Sequence, residues 1–534
     1  MPPSHDTVTC TIDGLELAVP KGTRVIEAAA RVGVDVPHYC YHPGLSAPAQ
    51  CRMCLVEVEG APKLLPACTS QVEDGNVIRT HTENALEARK GVLEFLLINH
   101  PLDCPVCDQS GECQLQDYVA EEGRKLGRYR EAKRILGRDD FGGDIIYYGD
   151  RCIMCTRCVR FMNEVARDER LAIVQRGHRN VIDTFFAEGL EDNIWAGNVA
   201  DICPVGALVS KDFLHKARAW DLDRTPSLCP NCSQGCNVTL QTFNNQLQRL
   251  KPRHNPEVNQ YWMCEYGRLN YQWLNRGGRV EAPLFRDGDR LVPTSWSDAL
   301  IRLAGQVKEA KGEVRALASP FLANEDLAAL RRVMDALGGG TGEFRSAKGE
   351  EIELPSWPTL RLREDRAANV TGADLLGFER VGDDQGAGGI ETLAGHTGVL
   401  LVLGDELADA DASFGTGAEL FVYLGHFLND AARGADFILP VTTFAEMEGS
   451  FTNALRRVQR FWPALRAPGM ARPAWQILGV LLAGISEVST APGTAAQAFA
   501  ALAEVRSEFA ALRFDQLGAG GQQLPERAAV ERGR

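Results

Sequence analysis

Cys152-Ile-Met-Cys155-Thr-Arg-Cys158, followed after forty-four residues by Cys203-Pro204-Val-Gly-Ala-Leu208, decides the reading of this chain. Three thiols at strict C-x-x-C-x-x-C spacing with a distant Cys-Pro are the pattern of a [4Fe-4S] site. Where two such runs occur, the Cys-Pro thiol serves the other cluster. Only one run exists here, so Cys203 most simply closes the same cluster as Cys152, Cys155 and Cys158. Arg151, Arg157 and Arg160 stand beside these thiols and can offset an anionic centre; ordinary solvated arginines account for them equally well.

All sixteen cysteines lie between Cys10 and Cys264, and the last 270 residues hold none. The chain therefore has two chemically different halves. A disulfide framework belongs to short secreted chains, whereas the start Met-Pro-Pro-Ser-His-Asp-Thr has neither a basic segment nor an apolar one to serve as a signal. Repeated C-x-x-C pairs then point to metal or redox chemistry in a reducing compartment. The 534 residues suggest about three or four domains. A composition 45% hydrophobic and 24% charged is that of soluble globular protein, and a net charge of -14 excludes a nucleic-acid partner held by counterion release. The longest apolar runs, near 399–403 and 477–485, fall short of the ~18 residues of a spanning helix. Membrane association is expected only through partners.

Residues 7–80 read as a small sheet carrying a helix, with strands over 8–12 and 15–19 and a helix over 23–32 whose Val25, Ile26, Ala29 and Ala30 share a face. Cys40, Cys51, Cys54 and Cys68 supply four ligands in an order related to plant-type [2Fe-2S] ferredoxins, with a longer first gap. Zinc is the competing occupant. Cys10 reads as a small apolar strand residue, and His38 and His42 are surplus to a complete set of four.

The stretch His100-Pro-Leu-Asp-Cys104-Pro-Val-Cys107-Asp-Gln-Ser-Gly-Glu-Cys113 gathers one imidazole and three thiols, a set that zinc or an iron–sulfur cluster can use. Helical spacing over 82–99 leads into His100, a second helix is expected over 114–122, and a charged, glycine-punctuated surface connection follows. Cys229, Cys232, Cys236 and, twenty-seven residues on, Cys264 make a further set, for which a zinc ribbon competes with [4Fe-4S]. Fifteen cysteines and His100 thus sort into four sets of four. A relay of clusters is the natural reading, because it needs no substrate site.

These motifs closely resemble the large iron–sulfur subunit (75 kDa or G) of respiratory complex I, NADH:quinone oxidoreductase. The resemblance rests on the His100 to Cys113 motif, on Cys152, Cys155 and Cys158 with Cys203-Pro204, and on Ala435-Asp-Phe-Ile-Leu-Pro440 followed by Glu446-Met-Glu-Gly-Ser-Phe-Thr-Asn453, which is similar to molybdopterin oxidoreductases. It implies a [2Fe-2S] cluster on Cys40, Cys51, Cys54 and Cys68, and [4Fe-4S] clusters on His100, Cys104, Cys107 and Cys113, and on Cys152, Cys155, Cys158 and Cys203. It also implies an additional [4Fe-4S] cluster, kept by some bacterial members, on Cys229, Cys232, Cys236 and Cys264. The implied partners are a flavoprotein NADH-binding subunit, a small 2Fe-2S subunit, a ferredoxin-like 4Fe-4S subunit, and quinone-proximal and membrane subunits. The implied place is peripheral, on the cytoplasmic face of the bacterial inner membrane. No G-x-G-x-x-G follows a strand and no P-loop occurs, so NADH, flavin and quinone sites belong to partners and no catalytic residue is assigned.

Beyond residue 279 strands alternate with helices and Gly-rich turns at 338–342 and 386–389, an α/β pattern with a mostly parallel sheet. The expected whole is a multidomain α/β and α+β chain. It comprises a ferredoxin-like β-grasp [2Fe-2S] domain (1–81), a His/Cys [4Fe-4S] domain (82–145), a ferredoxin-like [4Fe-4S] domain (146–220), an additional [4Fe-4S] domain (221–279), and a reduced molybdopterin-oxidoreductase-like domain (280–485). A helix over 495–512 and a mobile end close the final segment (486–534). About 200 residues without cysteine are few for enclosing a pterin, so that domain is expected to be a cofactor-free scaffold. An NAD-linked molybdenum formate dehydrogenase subunit is the alternative. An iron-only hydrogenase needs cysteines after Cys264, and a structural zinc scaffold needs no redox chemistry.

Overall fold

The computed structural model describes residues 7–184, 187, 189–383, 388–486 and 490–526. The chain forms two compact units, one of residues 1–222 with 354–357 and one of 223–353 with 358–534.

The first unit opens with β1 (Thr7–Ile12) and β2 (Leu15–Pro20), joined at Asp13 and Gly14, both at positive φ as a two-residue hairpin turn requires. Then come α1 (Val25–Arg31), β3 (Leu55–Val58), β4 (Leu65–Pro66) and β5 (Asn76–Arg79), in a sheet of order β2-β1-β5-β3-β4 with β1 and β5 parallel. The α1 face differs from the expected one by a residue. Val25, Ile26, Ala28 and Ala29 are buried and Ala30 is exposed, because 25, 28 and 29 share the helical stripe that meets the sheet. Cys10 is buried in this core with Ile12, Val19 and Ile78.

Helix α2 (Glu83–Leu97) starts at Thr82, whose hydroxyl accepts from the Ala85 amide at 3.3 Å, and it ends three residues short of His100. Arg89, wholly buried, ties α2 to α3 (Gln114–Glu122) through Glu122 at 2.8 Å and donates to the Thr80 carbonyl at 2.6 Å. The two helices thereby frame the loop that carries His100 to Cys113. The expected surface connection includes an exposed strand, β6 (Arg138–Asp140), paired with β7 (Ile145–Tyr148). After β7 come the short α4 (Arg157–Arg160), the hairpin β8 (Leu171–Val174) and β9 (Val181–Thr184), α5 (Asn198–Ile202), and β10 (Leu208–Ser210), which pairs with β7.

The second unit begins with the antiparallel strands β11 (Asp223–Leu228), β12 (Asn237–Phe243) and β13 (Gln246–Pro252), followed by α6 (Glu265–Leu269). Its larger part contains β14 (Leu284–Asp287), β15 (Arg290–Pro293), α7 (Trp296–Glu309), β16 (Val314–Ala318), α8 (Asn324–Ala336) and β17 (Gly340–Phe344). It continues through β18 (Ile352–Leu354), β19 (Trp357–Leu362), α9 (Val370–Leu375), β20 (Glu379–Arg380), α10 (Glu391–Ala394), β21 (Val399–Leu403), β22 (Leu420–Gly425) and β23 (Phe437–Pro440). The main sheet runs β15-β14-β23-β22-β21-β16-β17-β20, parallel from β23 to β20 and antiparallel at β14 and β15. Both faces are covered, so β21 reads as an unbroken apolar run. Val399, Leu401 and Leu403 enter one core, while Leu400 and Val402 enter the other.

The chain ends with β24 (Gly449–Thr452), β25 (Arg457–Phe461), α11 (Ala474–Ile485), α12 (Ala495–Ala500), α13 (Leu502–Val505) and β26 (Gln522–Gln523). The single helix expected over 495–512 is broken at Ala501 and Arg506, a bend that brings Phe499 against both Phe509 and Phe514. Of the end expected to be mobile, β26 pairs with β25, and 527–534 lie outside the described residues, as do 386 and 387 of the turn at 386–389. Among the described residues no helix is long and apolar enough to cross a membrane.

Candidate metal centres

Cys40, Cys54 and Cys68 are buried and Cys51 is partly so. Their thiols neighbour one another in series, Cys51 beside Cys40, Cys40 beside Cys68, and Cys68 beside Cys54. Hydrogen bonding to Cys40, aided by burial, pushes the Cys51 thiol up, whereas the bond from Cys68 draws Cys54 down. Arg52 stands at φ 56 in the left-handed region, turning the chain sharply between Cys51 and Cys54.

In the second set Cys107 and Cys113 are buried, His100 is half-buried and Cys104 is exposed on a short turn. Burial, with Lys133 and Arg151 adding to it, pulls the imidazole down to about 4, so His100 is neutral at physiological pH. Its Nδ1 is buried and has no hydrogen-bond partner among the described residues, which suits a nitrogen meant for a metal. Residues 204–218 cradle this loop. Gln114 donates to the Pro204 carbonyl at 3.1 Å, Arg218 to the Cys107 carbonyl at 2.9 Å, and the His215 amide to Asp108 at 3.0 Å. A Cβ on Gly206 would stand 2.3 Å from the Cys107 sulfur, so only glycine admits that thiol.

Cys152, Cys155, Cys158 and Cys203 line one enclosed cavity together with Tyr147, Arg157 and apolar side chains. Met154 at φ 53 and Thr156 at φ 61 place two non-glycine residues in the left-handed region, and the Met154 amide lies 3.4 Å from the Cys152 sulfur. Burial pushes the Cys152 thiol up to about 11, although the Tyr147 hydroxyl bonds to it and favours the thiolate; burial also pushes Cys155 up to about 12. The desolvated thiols of Cys152, Cys155 and Cys158 resist ionisation until iron supplies positive charge, so this donor set suits a cluster. Arg151 and Arg157, which solvent would equally have explained, are buried.

The fourth set is the most enclosed, its four thiols 4–5% exposed, and burial pushes Cys264 up to about 12. The Cys264 sulfur accepts from the Gly267 amide at 3.4 Å, and a Cβ on Gly267 would stand 2.8 Å from the Cys229 sulfur. The 232–236 turn is held by distant side chains. Asn453 donates to the Gln234 carbonyl at 3.2 Å, Gln459 to the Gly235 carbonyl at 2.6 Å, and Arg363 to the Gln234 side chain at 2.8 Å. Gly206 and Gly267, unassigned on sequence grounds, share a readable signal: each follows its cysteine by three positions. Tyr147 and Asn453 carry no such signal, because their contacts are set by the fold.

Among the described residues no three His, Cys, Asp or Glu side chains converge as a single ion would require. Cluster ligands stand farther apart, since each thiol binds its own corner of an iron–sulfide core or shares one iron with a single neighbour.

Residues 89–126 match the NADH-ubiquinone oxidoreductase-G iron-sulfur binding region, and 142–209 match the ferredoxin-like domain of NADH-quinone oxidoreductase subunit 3. The G subunit of NADH-quinone oxidoreductase from Rickettsia felis is 39% identical over 333 residues, covering 62% of this chain and 49% of the relative. This chain is homologous to the G subunit of NADH-quinone oxidoreductase. The G subunit of Streptomyces coelicolor is 36% identical over 413 residues, 76% of this chain and 48% of that one. The mitochondrial iron-sulfur protein 1 of NADH dehydrogenase [ubiquinone] from Solanum tuberosum is 41% identical over 340 residues, 63% and 46% respectively. The chain spans about half the length of the curated relatives it matches. It further matches a 2Fe-2S iron-sulfur cluster binding domain (5–83), the molybdopterin oxidoreductase Fe4S4 domain (222–276), and molybdopterin oxidoreductase (279–352 and 364–483). It thus carries a 2Fe-2S domain, 4Fe-4S domains and a molybdopterin-oxidoreductase domain in that order, and its relatives are subunits of an oxidoreductase.

Proposed function

We propose that this chain is an electron-relay subunit of a proton-pumping NADH:quinone oxidoreductase, receiving electrons from a flavoprotein partner and passing them toward quinone. The observation that carries the reading is the enclosed cavity bounded by the thiols of Cys152, Cys155, Cys158 and Cys203. Homology to the G subunits supports the same role. One [2Fe-2S] cluster on Cys40, Cys51, Cys54 and Cys68, and three [4Fe-4S] clusters on the other sets, would supply one-electron transfer when bound. The protein's share is to hold the ligands, keep His100 neutral, exclude water from the buried thiols and aim amides and hydroxyls at sulfur.

The proposed domain limits are 1–81, 82–145, 146–220, 221–279, 280–485 and 486–534. The proposed partners are the flavoprotein NADH-binding subunit, the small 2Fe-2S subunit, the ferredoxin-like 4Fe-4S subunit and the quinone-proximal and membrane subunits, on the cytoplasmic face of a bacterial inner membrane. The molybdopterin-like domain acts as scaffold. Its motif over 446–453 is engaged internally: Glu446 pairs with Arg279, Glu448 with Arg460, Ser450 with Glu325, Thr452 with Asn324, and Asn453 with Gln234. Stoichiometric molybdenum in purified protein would contradict the scaffold role. The relay is tested by pulling the tagged chain from membranes. Recovery of a flavoprotein and hydrophobic subunits is expected; recovery of the chain alone would overturn the assignment.

A further inference from the structure

We infer that Arg157 is a redox-positioning residue shared by two ligand sets, donating through Nε to the centre bounded by Cys152, Cys155, Cys158 and Cys203 while its two Nη groups hold the Cys40 loop against it. The inference rests on the cluster reading above and concerns a side chain that is no ligand. Arg157 begins α4 and lines the enclosed cavity with the four thiols. Its Nη1 donates to the carbonyl of Ile202, the residue before Cys203, at 3.1 Å. Its Nη2 donates to the carbonyl of Tyr41, the residue after Cys40, at 2.6 Å. The side chain is 5% exposed, and its Nε is buried without a hydrogen-bond partner among the described residues.

A guanidinium fixed at both Nη atoms cannot swing to find another acceptor for Nε, and leaving a charged donor unpaired in the interior is costly. Sulfur is the acceptor chemistry that the four thiols bring to this cavity. The charge also faces thiols of both sets, Cys155 and Cys203 on one side and Cys40 on the other. Arg160 closes the same seam, its Nη2 donating to the carbonyls of Cys40 and Cys155. Gln50 joins it through the Met154 carbonyl at 2.8 Å.

An added electron makes a centre more negative, so a nearby cation and an N–H aimed at sulfur both favour the reduced state and raise its potential. The test is a redox titration followed by electron paramagnetic resonance on the full chain with its clusters assembled, comparing wild type, Arg157→Met and Arg157→Lys. Arg157→Met is expected to lower the midpoint of the Cys152, Cys155, Cys158, Cys203 centre by about 59 mV, a tenfold fall in the ratio of reduced to oxidised form at the wild-type midpoint, and that of the Cys40 centre by less. Arg157→Lys keeps the charge and should restore the Cys40 centre while leaving the other lowered. Full signals at unchanged midpoints in both variants would overturn the inference. So would loss of both signals in both variants, which would make Arg157 a folding residue. Wild-type protein with no paramagnetic cluster would sink the relay reading itself, before any variant is compared.

Discussion

In the fourth set all four thiols are 4–5% exposed and their turn is gripped by Asn453, Gln459 and Arg363, whereas in the His100 set Cys104 is exposed and the loop is held at its rim by Arg218, on the Cys107 carbonyl, and Arg151, on Asp103. The two sets have the same number of ligands, but their supports differ. Side chains drawn from a large folded domain preorganise the fourth set, so its geometry depends on that domain's stability. The His100 loop has few apolar residues beneath it and depends on the metal to fix it.

Substitution and iron withdrawal both bear on this contrast. The largest effect is expected from Gly206→Val, since a Cβ there already overlaps the Cys107 sulfur. Iron analysis should show the loss of about four iron atoms, and paramagnetic resonance should show the other centres intact. Full occupancy would refute the close approach. Next, in iron-starved chain, limited proteolysis should cut within 98–113 more than about 10-fold faster than within 229–264. Equal rates would erase the distinction between the two supports.

A smaller effect is expected from Asn453→Ala, which strips the bond to the Gln234 carbonyl and the caps on the Leu455 and Arg457 amides. Calorimetry should record a loss of about 2–3 kcal/mol, with the fourth set's signal broadened and the His100 signal unchanged.

Much of the fold was legible where pattern and packing agree. The hairpin at Asp13 and Gly14 and the continuous apolar run of β21 carry their own turn and burial signals. The break of the expected 495–512 helix was not legible, because helical propensity says nothing of the distant demand that Phe499, Phe509 and Phe514 meet. At the candidate sites, spacing offered the ligand sets as expectations. It offered Arg157 as a cation beside the thiols but was silent on its burial, which comes with two carbonyls remote in sequence. It was equally silent on Tyr147, whose hydroxyl reaches Cys152 only because β7 runs beside that turn.

A still smaller change comes with pH. Burial pushes Glu325 up to about 8 and Asp326 up to about 7, so the folded state binds protons that the unfolded state has released. Their contribution is full below the ordinary carboxylate range near pH 4 and is lost as pH rises toward 8. Glu325 accepts from the Ser450 amide and hydroxyl, bonds that ionisation keeps, so alkaline pH should lower the stability of this domain through the buried charge alone. Thermal unfolding of Glu325→Gln should show a shallower fall between pH 5 and 8 than wild type; identical slopes would remove Glu325 from the account. The smallest expected change is electronic. His100→Cys restores a negative ligand and should lower that centre's midpoint on the order of tens of millivolts, while an unchanged or raised value would count against the charge argument.

The most direct test of the four-centre account is iron and acid-labile sulfide analysis of the full chain, with paramagnetic resonance after reduction. About 14 iron atoms per chain, two in the first set and four in each of the others, with signals from both cluster types, is the predicted result. Zinc at about one ion per set and no signal on reduction would contradict it.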